Sequence, residues 1–191
     1  MAEGKPFGLA CLLLAVMRPT SRFREYRHAT ALEAIARVFL PQFPELQALD
    51  WELDLLPSSS WLYAVTEGFR DPPRIRLRPA RPTNPSLTYT LPHEMTHLLQ
   101  RPLRLAPDGE RSCDLFAMAR TGEAWRVPPS YLRVPRPLRR DWPPWAATAA
   151  KLAREALRRR SDGTRNYITW WESAFRAAVT SGSRPDAPAS P

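Results

Sequence analysis

Between Ala29 and Leu40 the apolar positions Leu32, Ile35, Ala36, Val38 and Phe39 recur at helical spacing and stop at Pro41, which predicts an amphipathic helix. Three short segments with strand character follow, Glu52 to Leu56, Trp61 to Val65 and Arg74 to Arg78. Pro57-Ser58-Ser59-Ser60 and Asp71-Pro72-Pro73 separate them as turns, so a small three-stranded sheet is expected. Arg74-Ile75-Arg76-Leu77-Arg78 alternates cleanly, with one basic and one apolar face, as a charge-protected edge strand does.

A loop from Arg81 to Ser86 leads into the apolar run around Leu91, Met95, Leu98 and Leu99, with Asn84-Pro85 as N-cap and first-turn pair. Pro92 leaves two starts open, a helix from near Thr90 or a longer helix kinked at the proline, and Pro102 ends either one. After the turn Pro107-Asp108-Gly109, Leu115, Phe116, Met118 and Ala119 mark the buried face of a second helix. Val127 to Pro137 holds too many prolines for a helix and is expected to be extended or irregular. Two further helices are expected, Trp145 to Arg160 and Thr164 to Val179, joined by Ser161-Asp162-Gly163. No internal repeat is visible.

Length and composition fit a single α+β domain, helix-dominated, over residues 1–180, with 181–191 as a small, polar, proline-rich disordered tail. The 22 prolines against 7 glycines imply stiff loops. A formal charge of +9, mostly arginine, suits an acidic partner such as nucleic acid, and equally suits a soluble basic protein; no nucleic-acid-binding motif accompanies it. Lys151, Arg154, Arg158, Arg159 and Arg160 lie near Trp170, Trp171 and Phe175, which is either a surface for phosphates and bases or a solvated basic face over core aromatics. Cys11 and Cys113 form neither a disulfide framework nor a Cys-x-x-Cys pair, so a reducing cytoplasm is expected. The apolar run 7–17 is too short to span a bilayer and lacks the basic start and cleavage site of a signal peptide. It is expected to be a buried strand or helix, and no membrane association is expected.

One stretch reads as chemistry: His93-Glu94-Met95-Thr96-His97, which uses two of the chain's 3 histidines. A scrambled chain of this composition would contain roughly 0.003 such matches. On a helix His93 and His97 share a face, so both imidazoles can reach one Zn²⁺ while Glu94 addresses a water. Catalytic zinc usually takes a third protein ligand. Glu110 and Asp114 share a face at i and i+4, so one can bind metal while the other accepts the N–H of a ligating histidine.

His93-Glu94-x-x-His97 followed by Glu110-x-x-x-Asp114 resembles the gluzincin pattern of zinc metallopeptidases, and Asp114-x-Phe116-Ala117 is similar to small metallopeptidases of the ImmA/IrrE type. The resemblance covers about thirty residues. It implies a zincin-like fold with a short sheet beside the metal helix, whose edge strand pairs with an extended substrate. It also implies one Zn²⁺ per chain held by His93, His97 and Glu110, Glu94 as general base, Asp114 as orienting carboxylate, and a peptide or protein substrate. Asp114 remains an alternative third ligand. Tyr131 or Arg133 from the proline-rich segment could face a tetrahedral oxyanion, or Tyr131 could be a half-buried packing residue. The alternatives are another metal hydrolase, or a basic nucleic-acid-binding or interaction module with a structural or vestigial metal site.

Overall fold

A computed structural model describes residues 17–181. The apolar run 7–17 except Met17, Cys11 and the tail from 182 lie outside the described residues. The chain begins with β1 (Met17–Pro19), α1 (Ser21–Arg24) and α2 (Ala29–Phe39). Leu32, Ala36 and Phe39 of α2 are buried as expected, whereas Val38 faces solvent. Then come β2 (Trp51–Leu55), β3 (Ala64–Glu67) and β4 (Arg74–Leu77). They form a four-stranded sheet in the order β1-β2-β4-β3, parallel except that β3 runs antiparallel to β4.

The three-stranded expectation is therefore corrected to four. The added strand is three residues long, too short to show alternation, and Pro19 is tolerated there because β1 lies at a sheet edge. β3 begins later than expected because Ser60 Oγ accepts the Leu62 N–H at 3.2 Å and bends the chain, leaving Trp61 83% exposed. The arginine-bearing strand is not an edge either. β4 lies between β2 and β3, with Arg74 on Glu52 and Asp54, and Arg76 on Glu67 at 3.1 Å. Its cationic face is neutralised by neighbouring strands, which is how a charged strand comes to occupy an interior position.

α3 (Leu87–Gln100) is one continuous helix with Pro92 inside it, the longer of the two expected forms. Pro92 forfeits one backbone bond, while Thr96 Oγ1 donates to the Pro92 carbonyl at 2.9 Å. Asn84-Pro85 is not its cap: Asn84 Oδ1 accepts the Ser86 N–H in a turn before the helix begins. α4 (Glu110–Thr121) follows Gly109, whose φ of 99° favours glycine. α5 (Arg136–Arg140), α6 (Ala146–Ser161) and α7 (Tyr167–Thr180) complete the described residues.

Two apolar cores result. One joins the sheet to α2 and α3 through Phe23, Leu32, Leu53, Ile75, Leu91 and Leu98. The other joins α4, α6 and α7 through Leu115, Met118, Trp142, Ala149, Trp171 and Phe175. Small alanines at 149, 150, 153 and 156 bring α6 close to its neighbours. Arg154 pairs with Glu123, and Arg158 and Arg159 with Glu155. Among the described residues no helix is long and apolar enough to cross a membrane.

Candidate metal centre

The centre lies where α3 of the first core meets α4 of the second. His93 and His97 project from one face of α3 with ring centroids 4.8 Å apart. Their Nδ1 atoms are already engaged. His93 Nδ1 lies 2.9 Å from Asp114 Oδ1, and His97 Nδ1 lies 2.7 Å from Gln100 Oε1. The Gln100 amide is oriented by its own NH₂ group, which donates to the Pro107 carbonyl at 2.6 Å and the Gly109 carbonyl at 3.2 Å. Its oxygen therefore faces His97, which donates from Nδ1, so Nε2 is the atom left to meet another partner.

Both Nε2 atoms turn to Glu110 Oε2, at 3.1 Å from His93 and 3.3 Å from His97. Ligand bonds of ~2.0–2.1 Å at tetrahedral angles separate ligand atoms by about 3.3 Å, and the two spacings to Glu110 Oε2 match that separation. Ligand atoms of His93, His97 and Cys113 also form a group that could hold a metal, all within 4.8 Å of one another. That spacing is looser, and the Cys113 thiol already donates to the His93 carbonyl at 3.0 Å.

Asp114 is fully buried and saturated. Oδ1 accepts from Tyr89 Oη at 2.9 Å as well as from His93, and Oδ2 accepts the N–H groups of Tyr131 at 2.7 Å and Leu132 at 3.2 Å. Burial and then the Asp114 charge push the Tyr89 phenol above its ordinary pKa, which keeps it a donor. Tyr131 is thereby tied to the centre: its ring stacks on His93 at 5.6 Å between centroids, and half of the residue remains exposed.

Glu94 is buried beside the histidines. Thr66 of β3 donates its hydroxyl to Glu94 Oε2 at 2.6 Å. Burial pushes the Glu94 carboxyl above the usual carboxylate range, against the pull of both imidazoles and Thr66. Glu110 goes the other way: its hydrogen bond to His93 outweighs partial burial and lowers its pKa. In the metal-free protein burial opposes charge on His97, yet Cys113 and Glu94 outweigh it and raise the pKa to about 9. His93 is likewise held well above its ordinary value despite burial, through Cys113, Asp114 and Glu110.

A cleft of about 400 Å³ opens over these groups, walled by Thr66, Phe69, Gln100 and Tyr131. A second lobe of about 430 Å³ continues past His93, Glu94 and Tyr131 toward Trp61, Tyr63 and Arg139. The structure thus brings together His93, Glu94, His97, Glu110, Asp114 and Tyr131, while the exposed Arg133 reaches toward Glu172 at 4.0 Å. Sequence reasoning missed four further residues. Gln100 and Tyr89, at i+3 from His97 and i−4 from His93, carried a readable helical signal; Cys113, between Glu110 and Asp114, carried one too. Thr66, 28 residues from Glu94, carried none. Comparison of the chain with protein-family models, with curated proteins and with solved structures gives no match in any of the three.

Proposed function

We propose that this chain is a zinc-dependent peptidase of zincin-like architecture, acting on extended polypeptides. The observation that carries the reading is the convergence of two histidine Nε2 atoms on one Glu110 oxygen, at 3.1 and 3.3 Å, beside a buried carboxyl. His93, His97 and Glu110 would hold the ion, and three protein groups leave a position open for water. When bound, Zn²⁺ polarises a carbonyl and acidifies a water molecule. Glu94, anchored through Oε2 by Thr66, takes the proton of the attacking water on Oε1 and passes it to the leaving amine. Its raised pKa suits a group that must both accept and return a proton. Asp114 and Gln100 hold the imidazoles by their Nδ1 atoms, and the Tyr131 phenol lines the cleft as a donor for a developing oxyanion.

The polypeptide part of the reading rests on β3. Arg78 donates its N–H to the Tyr63 carbonyl, so Tyr63, Val65 and Glu67 are the hydrogen-bonded positions against β4. The main-chain groups of Ala64 and Thr66 consequently face away from β4, along the cleft, where an extended backbone can pair with them. The test is elemental analysis for about one zinc per chain, followed by Glu94→Gln, which should keep zinc and fold and lose at least about 10²-fold in peptide hydrolysis. No bound transition metal after reconstitution sinks the reading. A second reading, a structural metal in an interaction module, is favoured by one observation, the nearness of Cys113 to both histidines. A fourth protein ligand would close the site. Cobalt-substituted protein with a thiolate charge-transfer band, lost in Cys113→Ser, would support it.

A further inference from the structure

Residues 126 to 141 carry five arginines, Arg126, Arg133, Arg136, Arg139 and Arg140, and one acid, Asp141. All five arginines are exposed. Among the described residues only Arg133 approaches a carboxylate, Glu172, and at 4.0 Å. Arg139 donates to the carbonyls of Pro129 and Leu132, which anchors the segment without neutralising its charge. Elsewhere several arginines are paired: Arg74 and Arg76 within the sheet, Arg120 with Glu45, Arg154 with Glu123, Arg158 and Arg159 with Glu155. Arg22, Arg24, Arg27, Arg78, Arg81, Arg160, Arg165 and Arg176 likewise meet no carboxylate among the described residues, but none of them lines either lobe of the cleft.

That segment borders the cleft. Arg139 and Val127 line the second lobe together with the exposed aromatics Trp61 and Tyr63, and among the described residues Glu94 is the only acid on its wall. Arg139 and Arg140 follow Arg136 on α5 at spacings of three and four, which puts each beside it on one side of the helix. The other end of the cleft, beyond Phe69, is balanced instead, with Arg70, Arg101 and Arg104 beside Asp50, Asp71 and Asp108. The molecule therefore offers an extended ligand an open strand edge, an aromatic-walled lobe on one side of Glu94, and uncompensated positive charge on the segment that borders that lobe.

We propose that the ligand of this cleft is an acidic polypeptide segment, with a large apolar side chain in the lobe of Trp61 and Tyr63 and its carboxylates on the arginines of 126–140. This rests on the peptide reading of the centre, and it adds which polypeptides are taken and which side of Glu94 reads them. Nucleic acid shares the anionic charge but has no backbone that continues a β-sheet, so the strand edge favours polypeptide.

The experiment measures fluorescence anisotropy of short labelled peptides on full-length Glu94→Gln protein incubated with Zn²⁺, its bound metal measured alongside. The peptides have a central Phe flanked by Glu, by Gln or by Lys. The Glu peptide should bind about tenfold tighter than the Gln peptide, with the Lys peptide weakest, and the advantage should shrink with added salt. Arg136→Glu/Arg140→Glu should erase the advantage while leaving the affinity for the Gln peptide unchanged; circular dichroism checks its fold, and Arg126→Glu, on a separate stretch, is the independent second variant. Equal affinity for the three peptides overturns the proposal, as does an arginine reversal without effect. A single-stranded oligonucleotide that binds tighter than the Glu peptide and is lost with the same reversals overturns it in favour of nucleic acid. The readout needs no turnover: selective binding with no zinc and no hydrolysis leaves the inference standing and removes the peptidase reading, whereas hydrolysis indifferent to peptide charge removes only the inference.

Discussion

On the sheet side of the candidate centre, His93, Glu94 and His97 ride on one buried helix packed against β3, and their placement follows from helical periodicity. On the helical side, Glu110 comes from the first turn of α4, Asp114 from its second, and Tyr131 from an irregular segment held by carboxylates. Glu172 of α7 adds to that hold, accepting from Arg111 Nη2 at 2.6 Å and the Arg133 N–H at 2.9 Å. One half positions its groups by apolar packing, the other by a buried polar network. The first tolerates conservative changes in the core; the second depends on each acceptor, because a buried donor left alone costs about 1–3 kcal/mol.

The largest expected effect separates the two carboxylates of α4. Glu110→Ala should remove a ligand and abolish catalysis, whereas Asp114→Asn should keep zinc with affinity reduced roughly 10- to 100-fold, as when a group supporting a ligand is lost. Asp114→Asn should also lower the unfolding midpoint, since an amide NH₂ cannot replace every acceptor role of a carboxylate that meets Tyr89, His93, Tyr131 and Leu132. Zinc titrations against a competing chelator check both. The reverse order of affinities would make Asp114 the third ligand.

Next in size is a cavity in the helical core. Trp171 is fully buried, stacked on Phe175 at 5.1 Å and bonded through its indole N–H to the Ala149 carbonyl, so Trp171→Ala should cost about 3–5 kcal/mol in denaturant unfolding. Leu53→Ala, in the sheet core, should cost about 2–5 kcal/mol. If the two cores unfold as one unit, both variants shift a single transition; a variant that splits it would show the halves to be independently stable.

A smaller effect is set by pH. In the metal-free protein His97 titrates at about 9, above its ordinary 6.5, so at neutral pH zinc must displace a proton. Zinc affinity should rise with pH until the folded pKa is passed, and calorimetry in buffers of different ionisation heat should register proton release near neutrality. The sign for metal-free stability is opposite: a raised pKa favours the folded state below the unfolded value of about 6.5, and the contribution is lost as pH rises through about 9. A zinc affinity flat across that window would contradict the assignment. The smallest effect is at the surface, where Arg154→Ala, which breaks an exposed pair with Glu123, should change stability by no more than about 1 kcal/mol.

The parts of the centre legible in the chain are those that a single helix creates. His93 and His97 fall one turn apart wherever a helix forms, with Glu94 next to them, and Glu110 and Asp114 do the same, so local periodicity alone put each pair on one face. The strand bearing Arg74 and Arg76 was legible as a strand but not in its place, because alternation specifies two faces and says nothing about which strands lie alongside. Only tertiary structure brought Thr66 to Glu94, Glu110 between two imidazoles, and the Asp114 carboxylate onto the backbone of Tyr131 and Leu132. Those contacts join residues far apart in the chain through single hydrogen bonds. They repeat at no period and require no particular residue type nearby, so they arise when the sheet core and the helical core close on each other and bury the polar groups between them.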